Sequence, residues 1–519
     1  MPAADLVLIG ANVRTLDPAR PYATAVAVKD GHIAAVGDIT DVREWQGPLF
    51  DLGGACLVPG LTDGHSHPLW SLDLATGTDL SHVTDLDGLR AALRDAVRVD
   101  GWVLAHGLDH NVFAGKPLHY DLIEDVLSGD PAHIRLYDAH SVLASRAALA
   151  AAGIDGPRVF AERASVVCDA GGRPTGHLVE HAAMDLLAPF LPRTPQAVRR
   201  ERLLALLGQM AATGLTGAHV MDLGPADLAL LTAIEADADL PVRLSLHPWC
   251  MPGADADHLA LLTALQNEHG RSWRVGGVKL FMDGTVEGGS AWLDYPDCHG
   301  QGSEAFWPDP AAYSAAVRTL HRAGVPTATH AIGDAAVRHV LNTVESLGPG
   351  GPRHRIEHIE TLGDEQLARF AQLGVVASLQ PPHTAYTRAD HTDQWSMRLG
   401  DERAGHAWRF RDLRASGATV ALGSDWPIAH YDARRILRTA RCPLGAATGT
   451  GLDGLAALEG LTTHAALAAG EEAVAGRIAP GYRADLTALA LDPVIAPADE
   501  VADAPVVLTM SGGRITFRS

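Results

Sequence analysis

The chain has 519 residues, 47% of them hydrophobic and 20% charged, with a formal net charge of −21. That length suits roughly three domains, or one large barrel with attachments, with area enough for a large core, and the acidic balance argues against a nucleic-acid or anionic-membrane partner, which calls for a basic patch. No run of about 18 apolar residues reads as a membrane span, and the five scattered cysteines (Cys56, Cys168, Cys250, Cys298, Cys442) show neither a disulfide framework nor a zinc ribbon. Their odd number suits a reducing compartment. The start, "MPAADLVLIGANV", has no basic n-region, so the expected location is cytoplasmic. Histidine, at 26, is the one compositional oddity.

Residues 1–56 read as short strands, "DLVLIGANVRTL", "ATAVAVKDGHIAAVG" and "LFDLGGAC", rich in Val and Ile with Gly and Asp at the turns. From residue 57 apolar strands alternate with Ala/Leu-rich helical stretches. Eight strands are expected, at 57–63, 215–221, 242–247, 277–282, 325–330, 353–358, 375–380 and 419–424. Alternating β and α elements imply a parallel sheet. The expected fold class is therefore α/β, and eight units suit a (β/α)8 TIM-like barrel over 57–470, with a doubly wound open sheet as the alternative. The stretch from about 70 to 200 is too long for one loop. It carries its own patterns, such as "DGWVLAHG" and "AHIRLYDAH". It is expected to be an α/β insertion after the first strand, covering the site. Residues 471–519 return to a β pattern, with "MSGGRITF" hairpin-like in the same way as "KDGHIAAVG". The two chain ends are expected to build one small β-sandwich domain.

In "PGLTDGHSHP", His65 and His67 stand at i and i+2. On a strand they project from one face. Two imidazoles aimed together are a metal-ligand pair or an accident, and the other strand ends decide which. Lys279 lies on the fourth strand, His330 and His358 end the fifth and sixth, and Asp425 follows the eighth in "LGSDWP". Singly, each has an ordinary reading: a hydrogen-bonded structural His, a snorkelling Lys, an Asp capping a turn. Together they are ligand types at the matching ends of several strands, the face where such barrels carry their sites. Imidazole and carboxylate are first-choice ligands for Zn²⁺ and similar ions. There is no G-x-S-x-G, HExxH, P-loop or dinucleotide fingerprint, so a water-derived nucleophile is expected.

The set "PGLTDGHSHP", "GVKLFMDGT", "THAIGDAAV", "RIEHIETL", "SLQPPHT", "LGSDWPI", "LTTHAALAAG" and "GRIAPGYRADLTAL" resembles the amidohydrolase superfamily, in its amidohydrolase family 3 branch, which includes N-substituted formamide deformylases. The resemblance implies that His65, His67 and Asp425 hold a buried first metal and His330 and His358 a second. Lys279 would be carboxylated and bridge the two, or, in a single-metal member, serve as a hydrogen-bonding residue. One or two Zn²⁺ ions are expected, with Mn²⁺ or another divalent ion as alternatives. Asp425 would act as general base and then acid. Asp334, four residues past His330, stands poorly for the Glu of single-metal deaminases and argues against deamination. His140 in "YDAHS" and Glu180 in "GHLVEHA" resemble substrate-facing positions. Trp292, His383 and Trp426 are candidates for lining the pocket, loop packing being the ordinary reading of the two tryptophans. The implied activity is hydrolysis of a C–N amide bond in an N-acyl or N-formyl amine. Ester or cyclic-amide hydrolysis on the same metals is one alternative; a non-catalytic small-molecule-binding relative is another. The implied partners are a small substrate and a second copy of the chain in a homodimer.

Overall fold

The computed structural model describes residues 3–519. The two chain ends form two sheets. Leu6–Ile9, Ala25–Lys29, His32–Gly37 and Leu49–Asp51 make a four-stranded sheet. Asn12–Arg14, Tyr22–Ala23 and Cys56–Pro59 join Leu486–Leu489, Val506–Ser511 and Arg514–Arg518 in a six-stranded one. Leu8, Val26 and Val28 of the first share a buried core with Val13, Leu57, Leu486, Leu508 and Met510 of the second. Both expected hairpins form. Asp30 and Gly31 have φ of 49° and 74°, and Gly512 and Gly513 have 56° and 78°. Two consecutive positive φ values belong to the type I′ turn, whose twist matches that of paired strands.

All eight expected parallel strands are present: β1 (Leu61–Ser66), β2 (Leu215–Val220), β3 (Arg243–Leu246), β4 (Val278–Phe281), β5 (Thr327–Ala331), β6 (Arg355–His358), β7 (Val376–Leu379) and β8 (Val420–Leu422). The first is shorter than the 57–63 reading at one end. Cys56–Pro59 pairs with Leu486–Leu489 in the terminal sheet, and the parallel set begins only at Leu61. Gly60 makes this crossing: its N–H donates to the Asp485 carbonyl at 2.7 Å, and a Cβ there would run into Thr216 Oγ1.

β1, β2 and β3 pair in parallel, and β3 pairs with Trp273–Val275. That strand runs through Gly276 and Gly277 into β4, which pairs with β5, and β5 to β8 follow in order. β8 in turn packs against β1, and glycine is what lets them meet. A Cβ at Gly64 would sit 2.6 Å from the Leu422 carbonyl oxygen, and one at Gly423 would collide with the His65 amide nitrogen. Every residue of β2 and β5 is buried, the continuous-run pattern of parallel strands covered by helices. The helix Pro310–Arg322 shows why such segments fold locally. Asp309 caps its N-terminus by accepting from the Ala311 N–H, Pro310 occupies the first turn, and Tyr313, Ala316, Val317 and Leu320 make one buried stripe.

Seven strands between Thr78 and Val179 form a separate mixed sheet, with a core that includes Leu89, Leu93, Val103 and Ile134. Its Tyr137–His140 turn reaches the cavity beside the β-strand ends. No helix among the described residues is long and apolar enough to cross a membrane.

Candidate metal centre

The close approach of β8 to β1 brings Asp425 to the two histidines. The Asp425 N–H donates to the His65 carbonyl at 2.7 Å, and the His67 N–H donates to the Trp426 carbonyl at 2.7 Å. Buried Asp63 clamps the junction, accepting from Ser424 N at 2.9 Å and Ser424 Oγ at 2.5 Å. As a result His65 Nε2 lies 3.3 Å and His67 Nε2 3.2 Å from the same oxygen, Asp425 Oδ1.

The far side of each ring sets its tautomer. His65 Nδ1 is 2.6 Å from Glu357 Oε2, and His67 Nδ1 is 2.9 Å from Asp222 Oδ1. Each Nδ1 faces a carboxylate acceptor, and each Nε2 points at Asp425, where a metal ion between them would take the Nε2 lone pairs. Carboxylate–histidine pairs of this kind orient metal ligands and raise their basicity. Glu357 is itself fully buried and held by Arg355 Nε at 2.6 Å. The Asp222 carboxylate also accepts from Trp70 N at 2.9 Å.

One ligand atom from each of His65, His67 and Asp425 falls within 4.8 Å of the others, and His358, His383 and Asp425 make a second such group. His383 Nε2 is 3.5 Å and His358 Nδ1 4.0 Å from Asp425 Oδ2, and neither nitrogen has a hydrogen-bond partner. Burial holds His330 and His358 well below the ordinary imidazole range and His383 at about 4, so all three are neutral and each keeps a lone pair. Burial opposes ionisation of Asp425, but His65 and His67 outweigh it and hold the carboxyl well below 3.8. The site thus offers an ionised carboxylate ringed by imidazole nitrogens, those of His330, His358 and His383 on neutral rings, and this donor chemistry fits Zn²⁺.

His330 lies beside this set, its ring centroid 4.3 Å from that of His358, with Nε2 3.1 Å from the Gly284 carbonyl. It belongs to neither three-residue group; His383 takes that place next to His358. Lys279 is 1% exposed, with Nζ 3.4 Å from His65 Nε2 and 5.1 Å from the Phe281 ring centroid. Burial lowers its ammonium to about 8. His358 and Asp425 sit at φ of 74° and 60°, left-handed conformations that cost energy and persist where the surroundings over-determine them.

His140 lines the cavity, its ring 5.0 Å from that of His330. Burial disfavours its charge, but Glu180, with Oε2 2.7 Å from Nδ1, raises it to about 9. Glu180 is tied to His140 and to Ser290 Oγ at 2.6 Å, and it lines a larger adjoining cavity of about 600 Å³. The two tryptophans lie outside the wall of the cavity that His140 lines. Trp292 packs on His339 at 5.6 Å and Trp426 on Tyr431 at 4.9 Å. His383 does line it, with Tyr137, Tyr386, Glu287, Glu360 and Trp408. The open space is small, about 30 Å³ on that side and about 20 Å³ beside Lys279.

Behind the cavity, His110 Nε2 is 3.0 Å from Asp138 Oδ2. Burial penalises both charges. Asp138 nonetheless raises His110 above 6.5, and His110 pulls Asp138 down to about 2. The histidine's contribution to stability is complete below pH 6.5 and is lost as pH rises through its folded value. The carboxylate's is present above pH 3.8 and is lost as pH falls toward about 2. As pH rises above 6.5, wild type should therefore lose melting temperature faster than His110→Gln. Parallel declines in a differential scanning series would refute the pairing.

Imidazoles backed by carboxylates, at the C-terminal ends of parallel strands, define a candidate metal centre on a hydrolase-type fold. The chain belongs to the amidohydrolase family, whose model matches residues 49–517. It is 29% identical over 464 residues to Protein LONG AFTER FAR-RED 3 of Arabidopsis thaliana, covering 84% of this chain and 78% of that one. It is 27% identical to the N-substituted formamide deformylase of Arthrobacter pascens, covering 99% and 98%. An uncharacterized metal-dependent hydrolase from Pyrococcus horikoshii superposes with a TM-score of 0.74 at 20% identity, over 95% of this chain and 99% of that one.

The two carboxylates behind His65 and His67 escaped the sequence reading. Glu357 is the residue before His358, and Asp222 follows β2 in "HVMD". Asp222 was findable, because it stands just past a strand end as the ligands do. Glu357 was not, since nothing local says that its side chain meets His65 across the sheet.

Proposed function

We propose that this protein hydrolyses a C–N amide bond in a small N-acyl or N-formyl amine. The observation that carries this reading is the convergence of His65 Nε2, His67 Nε2 and Asp425 within 4.8 Å. The framework is a (β/α)8 barrel closed by β8 against β1, with a β-sandwich from both chain ends and the sheet of residues 78–179 over the site.

His65, His67 and Asp425 would hold one divalent ion, with His358, His330 and His383 beside a second position. Such an ion lowers the pKa of a coordinated water to about 7 and polarises a carbonyl. Asp425 takes the proton of the attacking water and returns it to the leaving amine. His140, charged through Glu180, donates from Nε2 to the carbonyl oxygen as negative charge develops there. The stacked pair Tyr137 and Tyr386, 3.7 Å apart, gives the substituent an aromatic wall. A Lys279 carboxylated on Nζ beside His65 would serve a two-ion site, and an unmodified Lys279 would support a single ion.

Elemental analysis of protein purified with bicarbonate and without chelator tests this. About two ions per chain, with the mass of one carbon dioxide on Lys279, is the result expected for the bridged site. One ion and no added mass would reduce Lys279 to a supporting residue. No ion after zinc or manganese is supplied would end the hydrolase reading. A panel of N-formyl amines, N-acyl amines, esters and lactams then separates amide from ester or cyclic-amide chemistry.

A further inference from the structure

A second cavity, of about 240 Å³, lies at the opposite end of the parallel strands. Its wall is built from the starts of β1, β2 and β3, from Trp273–Val275, and from the segment leading into Leu486–Leu489. Four arginines line it, Arg243, Arg271, Arg274 and Arg483, against two carboxylates, Glu471 and Asp485. That excess of positive charge stands in a chain of net charge −21.

The carboxylates are already engaged. Glu471 pairs with Arg483 Nη2 at 2.5 Å and lies 3.1 Å from Arg274 Nε, and Asp485 is 3.2 Å from Arg483 Nε. Arg271 is held by Asp239 at 3.0 Å. Arg243 acts on Glu471 only through its charge, without a direct pair. Among the described residues it makes no ion pair: Nη1 donates to the Arg271 carbonyl at 3.1 Å, and its buried Nε has no partner. A guanidinium cannot discharge itself, and unmatched buried donors are costly. Ser245 Oγ on the same wall is also unpartnered, in a residue only 8% exposed. His219, a third wall residue, accepts from Arg355 Nη1 on Nδ1 at 2.9 Å. In its neutral form it therefore carries its proton on Nε2, as a further donor.

We propose that this cleft binds a small oxyanion, a phosphate or a carboxylate, on Arg243, Ser245 and His219, as a ligand site separate from the metal centre. Guanidinium is the side chain best matched to both groups. The volume lies below the roughly 300–1,000 Å³ of drug-sized pockets, which restricts the ligand to a small molecule.

The test is calorimetric titration of the metal-loaded full chain, with inorganic phosphate in one arm and succinate in the other, at constant ionic strength. Saturable binding of at least one anion is expected, and the arm that binds identifies which oxyanion the site takes. In Arg243→Gln the affinity should fall at least about tenfold, the effect of one lost charged hydrogen bond, with metal content unchanged. Arg274→Gln, at a side chain 36% exposed, replaces it if the first variant does not fold, and should also weaken binding. No binding of either anion to wild type would overturn the proposal. Equal affinity in wild type and variant would overturn it too, by placing the anion elsewhere.

Discussion

Asp425→Asn should lower turnover by about 10²–10⁴-fold, the range general acid–base catalysis supplies, while leaving the fold intact. Asn keeps the volume and the backbone hydrogen bond to His65. It removes the negative charge that faces His65 and His67 at 3.3 and 3.2 Å and His383 at 3.5 Å. It also removes the only carboxylate in both ligand groups. Two losses are therefore expected together: kcat, because an amide cannot accept the water proton, and metal affinity, because an anionic ligand becomes neutral. Circular dichroism and elemental analysis beside the kinetics separate these from unfolding. Near wild-type turnover in a well-folded variant would refute the acid–base role.

The second large effect falls on stability. Glu357 receives Arg355 through Nε at 2.6 Å and Nη2 at 3.0 Å, and His65 through Nδ1 at 2.6 Å, all among buried groups. Burial disfavours the Glu357 charge, but Arg355 and His65 overcome this and hold the carboxyl well below 4.5. Glu357→Ala leaves the guanidinium without its counter-charge, with Gly64 O, Ser378 Oγ and His219 Nδ1 as its remaining partners. Breaking a buried pair from one side costs about 3–5 kcal/mol, readable as a shift in the urea midpoint. Metal affinity should drop about 10–100-fold as well, because His65 loses the acceptor that fixes its tautomer. A variant within about 1 kcal/mol of wild type would show that the Arg355–Glu357 pair is not what holds this part of the core.

Much of the framework was legible because its signals are local. Apolar runs of strand length, helical patterns between them, and the DG and GG turns each depend on a few neighbouring residues, and seven of the eight strands lie where those patterns place them. The one displaced strand start, at Gly60, was not legible. The apolar run is continuous through "CLVPGL", and only pairing with Leu486–Leu489 divides it. At the site, residue type and strand-end position were enough to pick out His65, His67, Lys279, His330, His358 and Asp425 as neighbours. Trp292 and Trp426 show the limit: both stand beside site residues in the chain, yet their rings turn to His339 and Tyr431.

The sequence by itself therefore determined the strand framework and the chemical inventory at one end of it, because periodicity and side-chain type need no distant partner to be read. Tertiary structure alone decided which carboxylates the ligand histidines face, that His383 stands beside His358, that Glu180 pairs with His140, and that four arginines share a cleft at the other end. Those outcomes depend on contacts between residues tens to hundreds of positions apart, such as His65 with Glu357 and Arg355 with His219. Packing sets the distance and angle of such contacts, and no local pattern encodes them.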